Sequence, residues 1–488
     1  MSETFRLRNS NGQYLQIFPD GAVRGVSNPG RGATFERTPW NLAWAVDPDP
    51  EPPAASAPPS TPTGPRIKGR LRVDMSTPRP SWRDDTGPIH PLFCTCFPLM
   101  RLAKFDRPRF EVTMGELAAH FMGTRFLAAV GYWSKWGFDG RGWLSREVAP
   151  VSFTNESGSR ISEWLDYEDI LRQVLDAHRV RGLKAFLSNG DLQAIFTGGV
   201  GETAHHERLA HITKDYPDVV EFYETANERW QNAYLGGDVD RARMFAQAFE
   251  TINPWPHVLL SAPPGDAEEA ANMIAWSTSA DACTIHGTRH TWVDAIRRCF
   301  NVEYETRRHG QLKQAMIQGE PTGPGRDVYQ PTNDPDQLFG IYAMHKMCGH
   351  MSVYLNSAGI RMKEGSIAQG WGFTELGPLL AHIPDDIGTW PHLRPGHRGD
   401  APIYATQFED QGEGPHRVDC VHDGKRVVAM VYGGRGQWDI RSRWTLRYRV
   451  LASLGISAGS AAVVDPGGRV SSVHRADQQV RIIIGEKV

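Results

Sequence analysis

Val219-Val220-Glu221-Phe222-Tyr223-Glu224-Thr225-Ala226-Asn227-Glu228 is a run of β-branched and aromatic residues that ends in a carboxylate. The stretch Gln314-Ala315-Met316-Ile317-Gln318, followed by Gly319-Glu320-Pro321, repeats the pattern. Such runs predict strands, each giving way to a loop at its acidic end. Between them lie two more strand-like runs, His257–Ser261 and Ala282–His286, each followed by a helical stretch. Working outward, strands are predicted at Leu92–Phe97, Phe126–Tyr132, Leu183–Ser188 and Met351–Leu355. Helices are predicted at Met114–Met122, Tyr167–Val180, Val239–Glu250, Ala267–Trp276, Thr291–Cys299 and Pro335–Cys348. In Tyr167–Val180, for example, Ile170, Leu171, Val174, Leu175 and His178 recur at helical spacing. Eight strand–helix alternations predict an α/β fold of the (β/α)8 TIM-barrel type. A doubly wound sheet is the competing architecture, but no glycine-rich phosphate loop follows the first strand.

The flanks read differently. Residues 1–46 are rich in β signals, with Asn11-Gly12 and Asp20-Gly21 as turns. Residues 47–65, DPDPEPPAASAPPSTPTGP, are too proline-dense for helix or sheet and predict an extended linker. The barrel is expected over 66–395, opened by a short hairpin from Arg66–Val73 and Trp82–Asp84. Residues 396–488 carry short β-rich runs punctuated by Gly and Pro, which predict a β-sandwich-like domain.

Composition narrows the function. A net charge of -3 gives no general electrostatic reason to bind nucleic acid or an acidic membrane. No apolar run approaches the roughly 20 residues that span a bilayer. The opening Met1-Ser2-Glu3-Thr4-Phe5-Arg6 lacks a basic-then-apolar leader pattern, so export by that route is not expected. The six cysteines form no CxxC pair, and they read as small buried hydrophobes rather than metal ligands.

In a (β/α)8 barrel the reactive groups stand at the C-terminal ends of the strands. That rule selects Asn189 and Asp191 after strand three, Asn227 and Glu228 after strand four, His286 after strand six and Glu320 after strand seven. Glu224, four residues before Glu228, would sit deeper and serve in pairing. Trp133, with Trp136 and Trp143, follows strand two, and Trp230 follows Glu228. Trp371 lies beyond strand eight. Aromatic rings near such a mouth either pack or stack on sugar rings. His286 is open between a site residue and a satisfied core histidine, and Asp191 between a substrate contact and a turn. His205 and His206, in a helical region, are expected at the surface. Paired carboxyls on two strands of one barrel suit acid/base cleavage of a glycosidic bond, because neighbouring carboxyls push their pKa values apart.

The endings Ala226-Asn227-Glu228 and Gln318-Gly319-Glu320-Pro321 resemble those of the clan A retaining glycoside hydrolases, (β/α)8 enzymes that include cellulases, mannanases and β-xylosidases. The resemblance implies Glu228 as acid/base, Glu320 as nucleophile and Asn227 as partner of the sugar 2-hydroxyl, with no metal or organic cofactor. It departs at strand six, where Thr284-Ile285-His286-Gly287-Thr288 lacks the tyrosine that bonds the nucleophile, so His286 or Thr288 would serve. It departs again after strand eight, where Tyr354-Leu355-Asn356-Ser357 lacks a platform tryptophan and Trp371 would substitute. The stretch from Phe5 to Pro39 also resembles one repeat of a β-trefoil of the fascin or ricin-lectin sort. The expected partner is a polysaccharide or oligosaccharide, which implies action outside a cell or with a virion. The alternative is a non-catalytic glycan-binding or structural protein on the same scaffold.

Overall fold

The computed structural model describes residues 6–8, 14–17, 23–26, 64–131, 147–155, 158–229, 239–261, 282–286, 292–308, 314–321, 334–361, 366–368, 370–396, 399–405, 417–433, 436–453, 455–457, 463–475 and 480–488. The expected linker up to residue 63, the turns at Asn11-Gly12 and Asp20-Gly21, and the helix over Ala267–Trp276 lie outside these residues. The chain forms two compact units, Met1–Pro58 and Pro59–Val488. In the first, Arg6–Arg8, Tyr14–Ile17 and Val23–Val26 make a three-stranded antiparallel sheet.

The second unit is built on eight parallel strands. They are β1 (Leu92–Thr95), β2 (Gly123–Val130), β3 (Lys184–Gly190), β4 (Val220–Glu224), β5 (His257–Leu259), β6 (Ala282–His286), β7 (Ala315–Glu320) and β8 (Met351–Tyr354). Hydrogen-bonded neighbours run β5-β4-β3-β2-β1-β8-β7-β6, so the sheet curls round until its ends, β5 and β6, lie side by side. This is the predicted (β/α)8 barrel. Among its crossover helices are α1 (Arg107–His120), α2 (Tyr167–Arg181), α3 (Glu202–Thr213), α4 (Val239–Ile252), α5 (Trp292–Arg308) and α6 (Pro335–Cys348).

Two-residue periodicity sorts the strand side chains. Phe93, Phe186, Phe222, Leu259, Ala282, Ala315, Ile317, Met351 and Val353 form an apolar plug in the lower barrel. Trp82 of the N-terminal hairpin (Arg72–Asp74 with Ser81–Asp84) joins it and donates to the Met316 carbonyl at 3.3 Å. The outward residues, such as Cys94, Phe126, Leu187 and Tyr223, pack against the helices. Lys184 and Glu221 pair at 2.7 Å near the N-terminal ends of the strands, and the remaining polar side chains of interest lie toward the C-terminal ends.

The C-terminal region is a two-layer β structure. Its six-stranded sheet begins at His392–Pro395, inside the span assigned to the barrel from sequence, and includes Arg417–His422, Arg426–Tyr432, Leu446–Ala452, Gly455–Ser457 and Arg481–Lys487. A three-stranded sheet of Ile403–Ala405, Gly436–Ser442 and Arg469–Arg475 covers one face. Along Arg426–Tyr432, Val427, Ala429 and Val431 face that sheet, while Val428, Met430 and Tyr432 join the main core of the barrel layer. Burial on both faces explains why this strand reads as one continuous apolar run.

Candidate active site

Arg125, midway along β2, is the structural centre of the site. Its guanidinium is fully buried and stacks near the rings of Phe97 and Phe186, at 5.4 and 5.3 Å. Nη1 donates to Glu320 Oε1 at 3.0 Å. Nη2 donates to Glu224 Oε2 at 2.8 Å and to Asn227 Oδ1 at 2.6 Å. Burial opposes the charge, but Glu224 and Glu320 more than offset it and hold the guanidinium above its ordinary range. Ser188 Oγ donates to the same Glu224 oxygen at 2.6 Å. Glu224 thus occupies a buried pairing position below the mouth. Sequence reading missed Arg125. The available signal was a lone cation in Gly123–Val130, where every residue is buried and a charge must find partners inside.

Beyond β4 the chain turns tightly. Thr225 N donates to Leu259 O at 3.0 Å, Asn227 N to Asn189 O at 2.6 Å and Arg229 N to Ser261 Oγ at 2.8 Å. Glu228, held between these anchors, has a φ of 42°, a left-handed conformation costly for a glutamate. Arg229 pairs with Glu202 of α3 at 3.0 Å and tethers the exit of the turn.

Glu320 reaches the same point by a different device. Ile317 faces the barrel interior and Gln318 faces the helices, so strict alternation would carry Glu320 outward. The β6–β7 register breaks here: Ile285 pairs with Gln318 but His286 pairs with Glu320, leaving Gly319 as an extra residue. The bulge turns Glu320 back toward Arg125. A Cβ on Gly319 would come within 2.8 Å of Thr284 Oγ1 and 3.1 Å of His286 Nε2, so the position has room only for glycine.

His286 closes the arrangement. Its Nδ1 lies 2.9 Å from Glu228 Oε1 and 3.8 Å from Glu320 Oε2. One oxygen of each glutamate and one ring nitrogen all lie within 4.8 Å of one another. Two carboxyls remote in sequence therefore meet at one point, with an imidazole beside both. Three such donors could hold a cation; Glu320, one of them, is also paired with the Arg125 guanidinium, which it shares with Glu224. Thr288 lies outside the described residues.

The other candidates fall around this centre. Asn189 braces the turn: its amide donates to Tyr223 Oη at 3.1 Å and Thr225 O at 3.2 Å, and its Oδ1 bonds His205 Nε2 at 3.0 Å. Asp191 is buried, with a φ of 55°, and starts the short helix Leu192–Ile195. Trp371 is half-buried against the main core, and its carbonyl accepts from Tyr354 Oη at 3.0 Å. Trp133, Trp136, Trp143 and Trp230 lie outside the described residues. His205 and His206 are not at the surface, as the polar sequence around them suggested. Both are buried on the inner face of α3, His205 on Asn189 and His206 Nδ1 2.5 Å from Tyr223 Oη.

No protein-family model and no curated protein matches the chain. Among solved structures it is similar to a glycoside hydrolase family 5 protein from Bacteroides vulgatus, at 12% identity over 86% of this chain and 93% of that one, with a TM-score of 0.55. It is also similar to a structure described as a glycoside hydrolase, at 13% identity over 86% of this chain and 97% of that one, with a TM-score of 0.58. At these identities the likeness is one of fold: the chain shares the (β/α)8 barrel architecture of these structures.

Proposed function

We propose that this protein is a retaining glycoside hydrolase acting on a β-linked oligo- or polysaccharide. One observation carries the reading: carboxyl oxygens of Glu228 and Glu320 approach within 4.8 Å. Retaining enzymes keep their two carboxyls about 5–5.5 Å apart, whereas inverting enzymes need about 6.5–9.5 Å to admit a water.

In the first half-reaction Glu228 gives its proton to the departing glycosidic oxygen as that bond breaks. Glu320, oriented by Arg125, attacks the anomeric carbon and forms a glycosyl-enzyme ester. In the second half-reaction Glu228 takes a proton from water, whose oxygen attacks the same carbon and releases Glu320. Asn227, with its Oδ1 fixed by Arg125, presents its amide to the sugar 2-hydroxyl, a bond that strengthens as positive charge grows on the ring. His286, touching both glutamates, takes the orienting part that the absent strand-six tyrosine would play.

Digestion of a polysaccharide panel tests the proposal. Glu320→Ala should abolish turnover, and added azide should then give glycosyl azide of inverted configuration. Glu228→Gln should lose about 10²–10⁴-fold in kcat on substrates with poor leaving groups. Tight binding of an intact glycan with no reducing ends released by the wild type would instead support the non-catalytic alternative. Unchanged activity in Glu320→Ala would remove the mechanism.

A further inference from the structure

A second cluster of reactive side chains lies on the outer side of β7, between the barrel and its helices. Cys299 is on α5, Cys348 is the last residue of α6, and His350 follows across Gly349. All three are buried. Cys299 Sγ lies 3.4 Å from His350 Nδ1, and Cys348 Sγ lies 3.9 Å from the Cys299 carbonyl oxygen. The two sulfurs and the imidazole nitrogen are all within 4.8 Å of one another.

Three features make this more than apolar packing of thiols. First, zinc bound tetrahedrally, with Zn–S of about 2.3 Å and Zn–N of about 2.05 Å, sets its sulfur and nitrogen ligands roughly 3.6 Å apart. The Cys299–His350 distance is close to that edge. Second, the other ring nitrogen, His350 Nε2, is 3.2 Å from a carboxylate oxygen of buried Glu303. A carboxylate behind a ligating imidazole fixes its tautomer and raises its basicity. Third, the buried amide of Gln318 points at the same spot, 3.0 Å from His350 Nδ1 and 3.8 Å from Cys299 Sγ. Its carbonyl and amino ends are interchangeable by rotation, so it can offer an oxygen as a fourth ligand.

The local backbone is built for this convergence. Gly349 has a φ of 76° and caps α6, reversing the chain so that Cys348 and His350 both face Cys299. A Cβ there would lie 2.8 Å from Gly388 Cα.

We infer that Cys299, Cys348 and His350, with Gln318 completing the shell, form a structural site for a thiophilic divalent cation such as zinc. The site is separate from the carboxylate pair and does not depend on the proposed glycosidase activity. Gln318 stands two residues before Glu320 on β7, so a cation here would pin the strand that carries that carboxylate.

The test uses the full-length protein, reduced and stripped with chelator, then titrated with cobalt(II) alone. One equivalent should bring up a thiolate-to-cobalt charge-transfer band with tetrahedral visible bands. Zinc(II) should abolish these bands by displacement and raise Tm. Cobalt held by Glu228, His286 and Glu320 has no sulfur ligand and gives no such charge transfer. Cys348→Ser, which leaves Cys299 as the one thiolate, should roughly halve the band, and Cys299→Ser/Cys348→Ser should lose it, while Glu303→Gln should keep it and weaken cobalt binding about 10–100-fold. If Cys348→Ser does not fold, the wild-type chain still decides: zinc should slow alkylation of Cys299 and Cys348 in mild denaturant. Absence of a thiolate band in excess cobalt overturns the inference. So does a band undiminished in Cys348→Ser or surviving in Cys299→Ser/Cys348→Ser, an alkylation rate indifferent to zinc, or a Cys299–Cys348 disulfide in the isolated protein.

Discussion

Arg125 is one cation shared by three acceptors in a space closed to water. Removing it leaves Glu224, fully buried, without its counter-charge, and breaking one side of a buried pair costs about 3–5 kcal/mol. Arg125→Met should therefore lower urea stability by that amount. Because the loss comes from a stranded carboxylate, the double variant Arg125→Met/Glu224→Leu should recover part of it, in a cycle read by equilibrium denaturation. It should not recover turnover, since Glu320 and Asn227 would still lack their orienting donor. Recovery of both would show that Arg125 serves stability alone. The residues that meet at the mouth were legible because the rule of strand ends names them without any knowledge of contacts. Arg125 was not, because one charge within an apolar strand looks in one dimension like a solvated position.

Among the elements, β7 gains its function from an irregularity. Gly319→Ala keeps the hydrophobic pattern but sets a methyl against Thr284 Oγ1 and His286 Nε2. Relief requires His286 to move away from Glu228 or the bulge to unwind. The expected result is a loss of kcat out of proportion to the stability change, which overpacking of this kind holds to about 1–3 kcal/mol. Thermal melts and kinetics on one preparation would separate the two, and a large fall in Tm with normal kcat would contradict the account. A bulge of this sort cannot be read from alternation, since it consists in breaking alternation. Helix α3 was unread for a related reason. Its sequence, ETAHHERLAHIT, looks largely polar, yet His205 and His206 face inward to bond Asn189 and Tyr223. The barrel strands were readable because burial on both faces makes them continuous apolar runs.

Over the whole of Pro59–Val488, buried histidines set an acid limit. His90, His178, His205, His206 and His345 all have pKa values lowered chiefly by burial, His178 to about 4. Unfolding returns each to about 6.5, so below that pH the unfolded chain binds more protons than the native one. Stability is then complete above about pH 6.5 and falls as the pH drops from there through the lowered values. The expected outcome is a Tm that declines steadily between pH 6.5 and 4.5, with net proton uptake on unfolding. A flat profile would show that these rings are hydrated in the native state. The C-terminal sheets were legible as β structure from their short runs. Their partnership with the barrel, through Val428, Met430, Tyr432 and Ile482, was not, because an apolar strand does not declare which neighbour covers it.

The eight-stranded ring also has a seam. Among the described residues, β5 is hydrogen-bonded along β4 and β6 along β7, and no ladder joins these two strands where the circle meets. His286 rides on the lip of that joint. Glu228 follows β4 on one side of that joint, while His286 and Glu320 end β6 and β7 on the other, so any parting of the rim there would act directly on the spacing of the two acids.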